Sequence, residues 1–518
     1  MDSVAVIPGV SIGSLCLGAS LHDVLTIIKE DPQLYPKIDV HHSQTEPVTT
    51  PIVVTLPENG LRLRFDGQEQ RLRLLEITDF RLIKLRHKGS DLIKTREDTP
   101  TPSGPIFKRI YELFGPSYPG EYFPPRDRSQ TGTYVSSWPG VAFNFPLQHS
   151  AWSKDKDHVA LLGSHAALPA ASMALFEGKS WSDARRDLFV RQPTGPRLSQ
   201  AGIRSRDNLP VDLEHAIVFA DGRIELQRHC LDGSFVVVLN ETTVQDLTTE
   251  LGPPDATHRP EGERATPEEV AHRRTGSTSR PRSNGRSHAI SQPSSYSSTG
   301  TDTFETDFEP TDVEEDAFDR ASRQKFWCYF NHGLDILAGP PTESSTLASG
   351  DPSTRTPLST SPHLVVLKVV IHGNVPGSYA FNRHRRLRWT FVPPTNHSNE
   401  DLNSEAHFEN EIKPILLAHY TSHSDPTHPS NTTTSELGRG KVVNRTWGGG
   451  GAASSESSFF LPDADEDVED AGADGLGGRD DDDSGSSEQW LGNTKLYAFP
   501  GLAFEVLENG AVCGLTVG

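Results

Sequence analysis

Gly9-Val10-Ser11-Ile12-Gly13 has the GxSxG spacing of a nucleophile elbow, in which a serine sits on a tight turn between a strand and a helix of a parallel sheet. The context differs here. The next residues, Ser14-Leu15-Cys16-Leu17-Gly18, are short and extended, and the neighbouring patterns read as antiparallel meanders. Ser11 is therefore expected in a turn between strands, and no catalytic residue is assigned. A second cluster, Arg383-His384-Arg385-Arg386-Leu387-Arg388-Trp389, has the composition that holds a phosphoinositide headgroup or an acidic partner through charge-assisted bonds. On a continuous strand from Phe381 to Phe391, Arg383, Arg385 and Trp389 would share one face and Arg386 and Arg388 the other. Splitting the charges in this way leaves a competing reading, a solvated face or an internal partner for acids. Arg383, Arg385, Arg386, Arg388 and Trp389 are the expected contact residues.

Metal chemistry finds little support. Cys16, Cys230, Cys328 and Cys513 are scattered, and His419, His423 and His428 near Asp425 lack the i, i+4 spacing of a helical ligand pair. No metal and no cofactor are expected. Arg62, Arg64, Arg71, Arg73, Lys84, Arg86 and Lys88 alternate with apolar residues, either as a basic sheet face or as the outward side of a sheet protected against aggregation.

The elements that must carry these residues follow a recurring order. Asn59-Gly60-Leu61-Arg62-Leu63-Arg64-Phe65 alternates apolar and polar residues after a glycine turn, as a half-buried strand does. Trp138-Pro139-Gly140-Val141, His332-Gly333-Leu334-Asp335 and Phe499-Pro500-Gly501-Leu502 begin similar strands, and apolar strands follow at Leu72–Ile77, Leu364–Ile371 and Ala511–Val517. Upstream lie helix candidates: Ser20–Ile28 behind an N-cap serine, Ile106–Phe114 before Gly115-Pro116, Thr243–Leu251 before Gly252-Pro253, and Ile412–Ala418, whose Pro414 fixes its start. Val211–Leu239 reads as more strands, turned at Asp221-Gly222 and Asp232-Gly233. The expected fold is α+β: a short helix followed by antiparallel meander strands, used four times, with long disordered insertions.

The 518 residues carry 49 Lys plus Arg against 70 Asp plus Glu, a net charge of -21. Two tracts, Asp302–Asp319 and Asp463–Asp483, hold nearly all of it, so the remaining chain is close to neutral. A neutral body with acidic tracts lacks the extended basic surface that a nucleic-acid binder needs. The tract Phe304–Phe318 interleaves phenylalanine with carboxylates, as disordered docking segments do; the bland alternative is a solubilising loop. The N-terminus has no basic n-region and no run reaches ~18 apolar residues, so a cytoplasmic chain is expected. Composition divides it into a first unit (1–92), a second unit (103–150), a β-rich middle with the third helix (151–254), and an insertion (255–324). Third-unit strands and a fourth helix follow (325–420, with a loop at 339–362), then a second insertion (421–489) and a C-terminal hairpin (490–518).

Read in order, LCLGASLHDVLTIIK, ENGLRLRFDGQEQRLRLLEI, TTVQDLTTELGPPD, YFNHGLDIL, IHGNVPGSYAFNRHRRLRW and FPGLAFEVLENGAVCGLTVG resemble the phagosome assembly factor family, and the IHGNVPGSYAFN stretch is the most specific of them. The resemblance implies a non-enzymatic regulator of autophagy that acts with a WD-repeat β-propeller partner and is recruited to phagophore assembly sites. It also carries an association with the trans-Golgi network and Golgi to plasma-membrane traffic. The alternative is a peripheral module that contacts anionic lipid itself. The long insertions depart from shorter family members.

Overall fold

In the computed structural model the described residues are 3–94, 103–125, 130–191, 213–228, 234–260, 323–341, 363–393, 402–422, 438–444 and 493–518. Most of the expected insertions 255–324 and 421–489 and of the loop 339–362 lies outside them.

In the first half, Val4–Ile7 (β1), Ser11–Ile12 (β2) and Leu15–Cys16 (β3) lead into a helix, Leu21–Glu30. Asp39–His41 (β4), Ile52–Leu56 (β5), Leu61–Phe65 (β6), Leu72–Ile77 (β7), Leu85–His87 (β8) and Ser90–Asp91 (β9) follow. A second helix, Phe107–Phe114, precedes Glu121–Phe123 (β10), Thr131–Trp138 (β11), Val141–Gln148 (β12) and Ser172–Phe176 (β13). The second half begins with Leu213–Phe219 (β14), Arg223–Arg228 (β15), Ser234–Val238 (β16) and the helix Val244–Leu251. Then come Ala256–His258 (β17), Lys325–Tyr329 (β18), Leu334–Gly339 (β19), Val365–His372 (β20), Arg388–Val392 (β21) and Leu402–Asn403 (β22). The helix Lys413–Ser422 is followed by Lys441–Asn444 (β23), Asn493–Phe499 (β24), Leu502–Val506 (β25) and Val512–Val517 (β26).

The fold is α+β with mostly antiparallel sheet. In the first half an eight-stranded sheet runs β10-β11-β12-β13-β7-β6-β5-β4 beside a five-stranded one, β3-β2-β1-β8-β9. The second half has β23-β24-β25-β26-β20-β19-β18-β17 beside β16-β15-β14-β21-β22. Position by position these are the same orders. β1 with β8 and β14 with β21 are the parallel pairs.

Local chemistry explains the pieces. Ile52, Val54 and Leu56 on β5 and Leu61, Leu63 and Phe65 on β6 face inward while the residues between them are half-buried, the period of two that a one-sided sheet requires. Between them Gly60 takes φ +63, and in the second half Gly333 takes φ +71; an added Cβ would meet the Asp79 or Arg385 carbonyl oxygen, respectively. The Ser20 hydroxyl accepts the Asp23 N–H at 3.0 Å, and Leu21, Val24, Leu25 and Ile28 are buried from one helix face. Burying each such side chain contributes about 1.5–3 kcal/mol. Thr243 forms a full capping box with Asp246, and Gly252 ends that helix.

Two local readings need correction. The fourth helix starts at Lys413, as Pro414 requires, but a π-helical turn, Phe408–Ile412, precedes it. Asn509-Gly510, a residue pair that favours a tight type I′ hairpin turn, has a positive φ only at Gly510, where that turn would need it at both positions. The loop is longer, with Leu507 N–H donating to the Ala511 carbonyl and Gly510 N–H to the Leu507 carbonyl. Asp221-Gly222 does turn a hairpin, whereas Asp232-Gly233 lies outside the described residues.

Candidate functional site

The segment from Gly373 to Leu387, between β20 and β21, is where the two halves meet. It holds all but the first two and last two residues of the IHGNVPGSYAFNRHRRLRW motif and touches the first half along its length. Val375, fully buried, packs with Val48 and Ala511, and Phe381 packs against the first-half core. The amides of Gln70 and Asn374 bond reciprocally: Gln70 Nε2 donates to the Asn374 carbonyl at 2.7 Å, and Asn374 Nδ2 donates to Gln70 Oε1 at 2.8 Å. From the C-terminal loop, Asn509 Nδ2 donates to the Gln44 carbonyl at 2.7 Å.

Charged groups complete this seam. Arg386 donates from Nε to the Gln68 carbonyl at 2.6 Å, from Nη1 to the Gly373 carbonyl at 2.6 Å, and from Nη2 to Glu405 Oε1 at 3.3 Å. Arg388 donates from Nε to Glu405 at 2.8 Å and lies 3.7 Å from Glu69, which also pairs with buried Arg73. Arg73 in turn pairs with Asp66 at 2.7 Å. Burial acts to raise the Glu405 carboxyl, but the Arg388 bond and the Arg386 charge outweigh it and hold the group below the usual range. Arg386 is held down by burial against the pull of Glu405. Removing one member of such a network leaves the other charges buried and uncompensated.

The expected contact cluster therefore has to be revised. Strand β21 begins only at Arg388, so the preceding arginines are not arranged by a strand's alternation. Arg385 and Arg386 are buried and Trp389 is 1% exposed, in the second-half core, because their side chains serve the seam and the sheet interior. Arg388 is half-buried against Glu405, and Arg383 alone of the five lies exposed. A headgroup has no access to the buried three.

Beside the seam the structure assembles a group that sequence reasoning missed. His372 Nε2 lies 3.0 Å from Asp335 Oδ2, and His384 Nε2 lies 2.9 Å from Asp335 Oδ1. The two imidazoles stack with centroids 3.7 Å apart and planes at 8°. Burial acts to raise the Asp335 carboxyl, but the two imidazole hydrogen bonds outweigh it and keep it well below the carboxylate range. Burial pushes the His384 imidazole down to about 4, against the opposing bond from Asp335. Two His and a carboxylate are a familiar metal donor set, yet the geometry argues otherwise. Lone pairs lie in the ring planes, and nearly parallel planes 3.7 Å apart do not converge on one ion. A metal-bound histidine also donates its second N–H, whereas His384 Nδ1 is buried without a hydrogen-bond partner among the described residues. As folded, the cluster holds protons. Its three residues lie at separations of 37 and 12 in sequence; the one local signal was a carboxylate inside the apolar strand Leu334-Asp335-Ile336.

The remaining candidates fall elsewhere. Ser11 lies on strand β2 and is 3% exposed, between antiparallel neighbours. His419 sits on the helix Lys413–Ser422; His423, Asp425 and His428 lie outside the described residues, as do Cys230 and the tract Phe304–Phe318. Cys16, Cys328 and Cys513 are free thiols. Of the alternating basic residues, Arg62 and Arg64 approach Glu76, while Arg71 and Arg73 are buried.

One surface feature stands out apart from these groups. Edge strand β10 carries Tyr122, which stacks on Trp152 at 4.6 Å and bonds the His149 ring at 2.8 Å, with Tyr118 and Phe123 exposed nearby.

No solved structure matches the chain. A PHAF1 protein of Drosophila melanogaster is 21% identical over 417 residues, 77% of this chain and 76% of the fly protein. A PHAF1 protein of Arabidopsis thaliana is 33% identical over 144 residues and one of Caenorhabditis elegans 28% over 145, each alignment covering 27% of this chain and 32% of the relative. The chain thus spans about a third of the length of those two relatives. The family model described as phagosome assembly factor 1 matches residues 11–279 and 312–517, which takes in both halves and the whole seam motif, and the chain therefore belongs to the phagosome assembly factor 1 family.

Proposed function

We propose that this chain is a non-enzymatic adaptor in phagosome or autophagosome assembly, working with a WD-repeat β-propeller partner at the phagophore assembly site. The family name supports the assembly role; the partner and the place rest on the resemblance of the motifs. The repeating order of helix and four-stranded meander, taken as one unit used four times, suits a scaffold that displays several sheet edges.

The observation that carries the reading is the division of labour between inside and outside. The seam's ion pairs face inward, where they join the halves. Exposed aromatics gather at edge strand β10, whose outer backbone groups have no strand partner among the described residues. Unpaired edges and exposed Tyr and Trp are what a docking partner uses. Among the described residues no helix is long and apolar enough to cross a membrane. The test is co-purification of the full chain with the WD-repeat protein, with Tyr122→Ala and Trp152→Ala compared against wild type. Loss of the partner from both variants at unchanged thermal stability is expected; retention by both would remove the β10 edge from the proposal. Flotation of the purified chain with phosphoinositide vesicles in the absence of partner would instead favour direct lipid contact.

A further inference from the structure

The Asp335–His372–His384 cluster closes the seam segment on itself. His372 stands where the segment leaves β20, His384 stands three residues before Leu387, and both bond the same carboxylate. One side chain of β19 thus ties down both ends of the stretch that carries Asn374, Val375 and Phe381 into the first half. We propose that this cluster is a proton-sensitive latch, closed at neutral pH and opened by acid, which governs whether segment 373–387 stays docked between the halves.

With Asp335 ionised, each Nε2 donates its proton to one carboxylate oxygen, so a further proton on His384 must go to Nδ1. That nitrogen is buried and has no acceptor among the described residues, and a cation there would stand against the second imidazole 3.7 Å away. Once the segment lifts, water solvates the ring and the obstacle disappears. The open form therefore binds the proton more readily than the closed form, and acid draws the equilibrium toward opening. The low position of the His384 imidazole, about 4 against 6.5, agrees in direction: the latch is fully effective above 6.5 and fails progressively as pH falls toward 4.

Other titratable and charged groups surround the segment. Cys328 and His258 lie on the neighbouring strands 3.4 Å from each other, with Asp255 and Arg383 close to Cys328 and Arg383 also near His384. Across the seam stand His42, next to Gly377, Asp23 with His22 near Arg385, and the Glu405 and Glu69 carboxylates on Arg386 and Arg388. Three imidazoles here are held by burial below the ordinary range, His384, His42 and His215, the last beside Arg388 and Glu405 and 2.8 Å from the Thr390 hydroxyl; His42 and His215 are the competitors to exclude.

The test is hydrogen exchange of peptides from 373–387 in the purified full chain at pH 7.5 and 5.0, corrected for the intrinsic pH dependence of exchange. A closed-form value near 4 and an open-form value near 6.5 predict an opening equilibrium roughly 30-fold larger at the lower pH. His384→Gln keeps a donor for Asp335 without a titrating ring and should abolish the rise; His384→Asn serves if that variant does not fold. His42→Gln and His215→Gln should retain it. Asp335→Asn should be open at both pH values. Equal protection of the wild type at both pH values, an undiminished rise in the His384 variant, or loss of the rise in His42→Gln or in His215→Gln would overturn the proposal. No partner protein enters the measurement, so its outcome is independent of the adaptor reading.

Discussion

In the first half, β7 reaches β8 through seven residues, 78–84; in the second, β20 reaches β21 through fifteen, 373–387. Around this one connection the halves agree. Both have a capped helix beginning at a β-bridge to the neighbouring strand, Ser20 to Arg71 and Thr243 to Val365, and both follow a 3₁₀ turn with a left-handed glycine. The N–H after β7 and the last N–H of β20 each return to that glycine's carbonyl, Thr78 to Gly60 and His372 to Gly333. What is shared builds a core. The longer connection spends its residues on contacts with the other half, and beside the apolar contacts of Val375 and Phe381 these include the specific polar bonds of Asn374 and Arg386. The difference teaches that joining two similar bodies falls to the residues by which they differ.

The sharpest way to break the comparison is at Arg386. Its guanidinium bridges the Gln68 carbonyl of the first half with Gly373 and Glu405 of the second, and Arg386→Met would leave Glu405 and both carbonyls buried with a bond missing. A loss of about 3–5 kcal/mol is expected. Calorimetry of the full chain should show one transition dividing into two as the halves uncouple. A single, unshifted transition would mean that apolar contacts alone hold the seam.

The next test measures likeness rather than difference. Phe143 on β12 and Phe504 on β25 follow Trp138-Pro139-Gly140 and Phe499-Pro500-Gly501 at the same spacing, and both are fully buried. Phe143→Ala and Phe504→Ala should each cost about 3–5 kcal/mol by denaturant titration. β26 pairs with β20 and β25 with β26 inside the eight-stranded sheet, so a small cost at Phe504 alone would mark that hairpin as an appendage.

How far the sequence could be read follows from which interactions are local. Ser20, Thr243, Gly252 and the alternation of β5 and β6 act within a few residues, and they announce themselves. The arginine run did not, because its composition suits a headgroup and an internal carboxylate equally, and only the fold brings Glu405 and Gln68 to it. The Asp335 cluster was invisible for the same reason. Its members share a site only after β19 and β20 pair and the segment folds back.

Smaller effects test the shared elements. Ser20→Ala and Thr243→Ala should each cost about 1 kcal/mol, through loss of the bonds to the Asp23 and Asp246 N–H groups. Similar values would extend the likeness of the halves to their helix starts; a Thr243 cost several times larger would show that its reciprocal bond with Asp246 matters more than the cap itself.

The smallest effect is expected at Ser11, and it separates two explanations of the GxSxG spacing. In a nucleophile elbow the glycines give the serine room and the serine does the work. Here Gly9 and Gly13 take φ +71 and +60 and turn the chain at either end of β2, whose Ser11 pairs with Ile7 on one side and Cys16 on the other. Gly9 also donates its N–H to the Gly140 carbonyl, and a Cβ on Gly13 would press on Val4. The spacing is then a consequence of two tight turns separated by a short strand. Ser11→Ala should change stability by under about 0.5 kcal/mol and leave partner binding unaltered, while Gly9→Ala and Gly13→Ala should each cost about 1 kcal/mol or more, since alanine tolerates positive φ poorly. Denaturant titration and partner co-purification of the three variants decide it: loss of cellular activity in Ser11→Ala with a normal transition and a retained partner would point back to the hydroxyl as a reacting group.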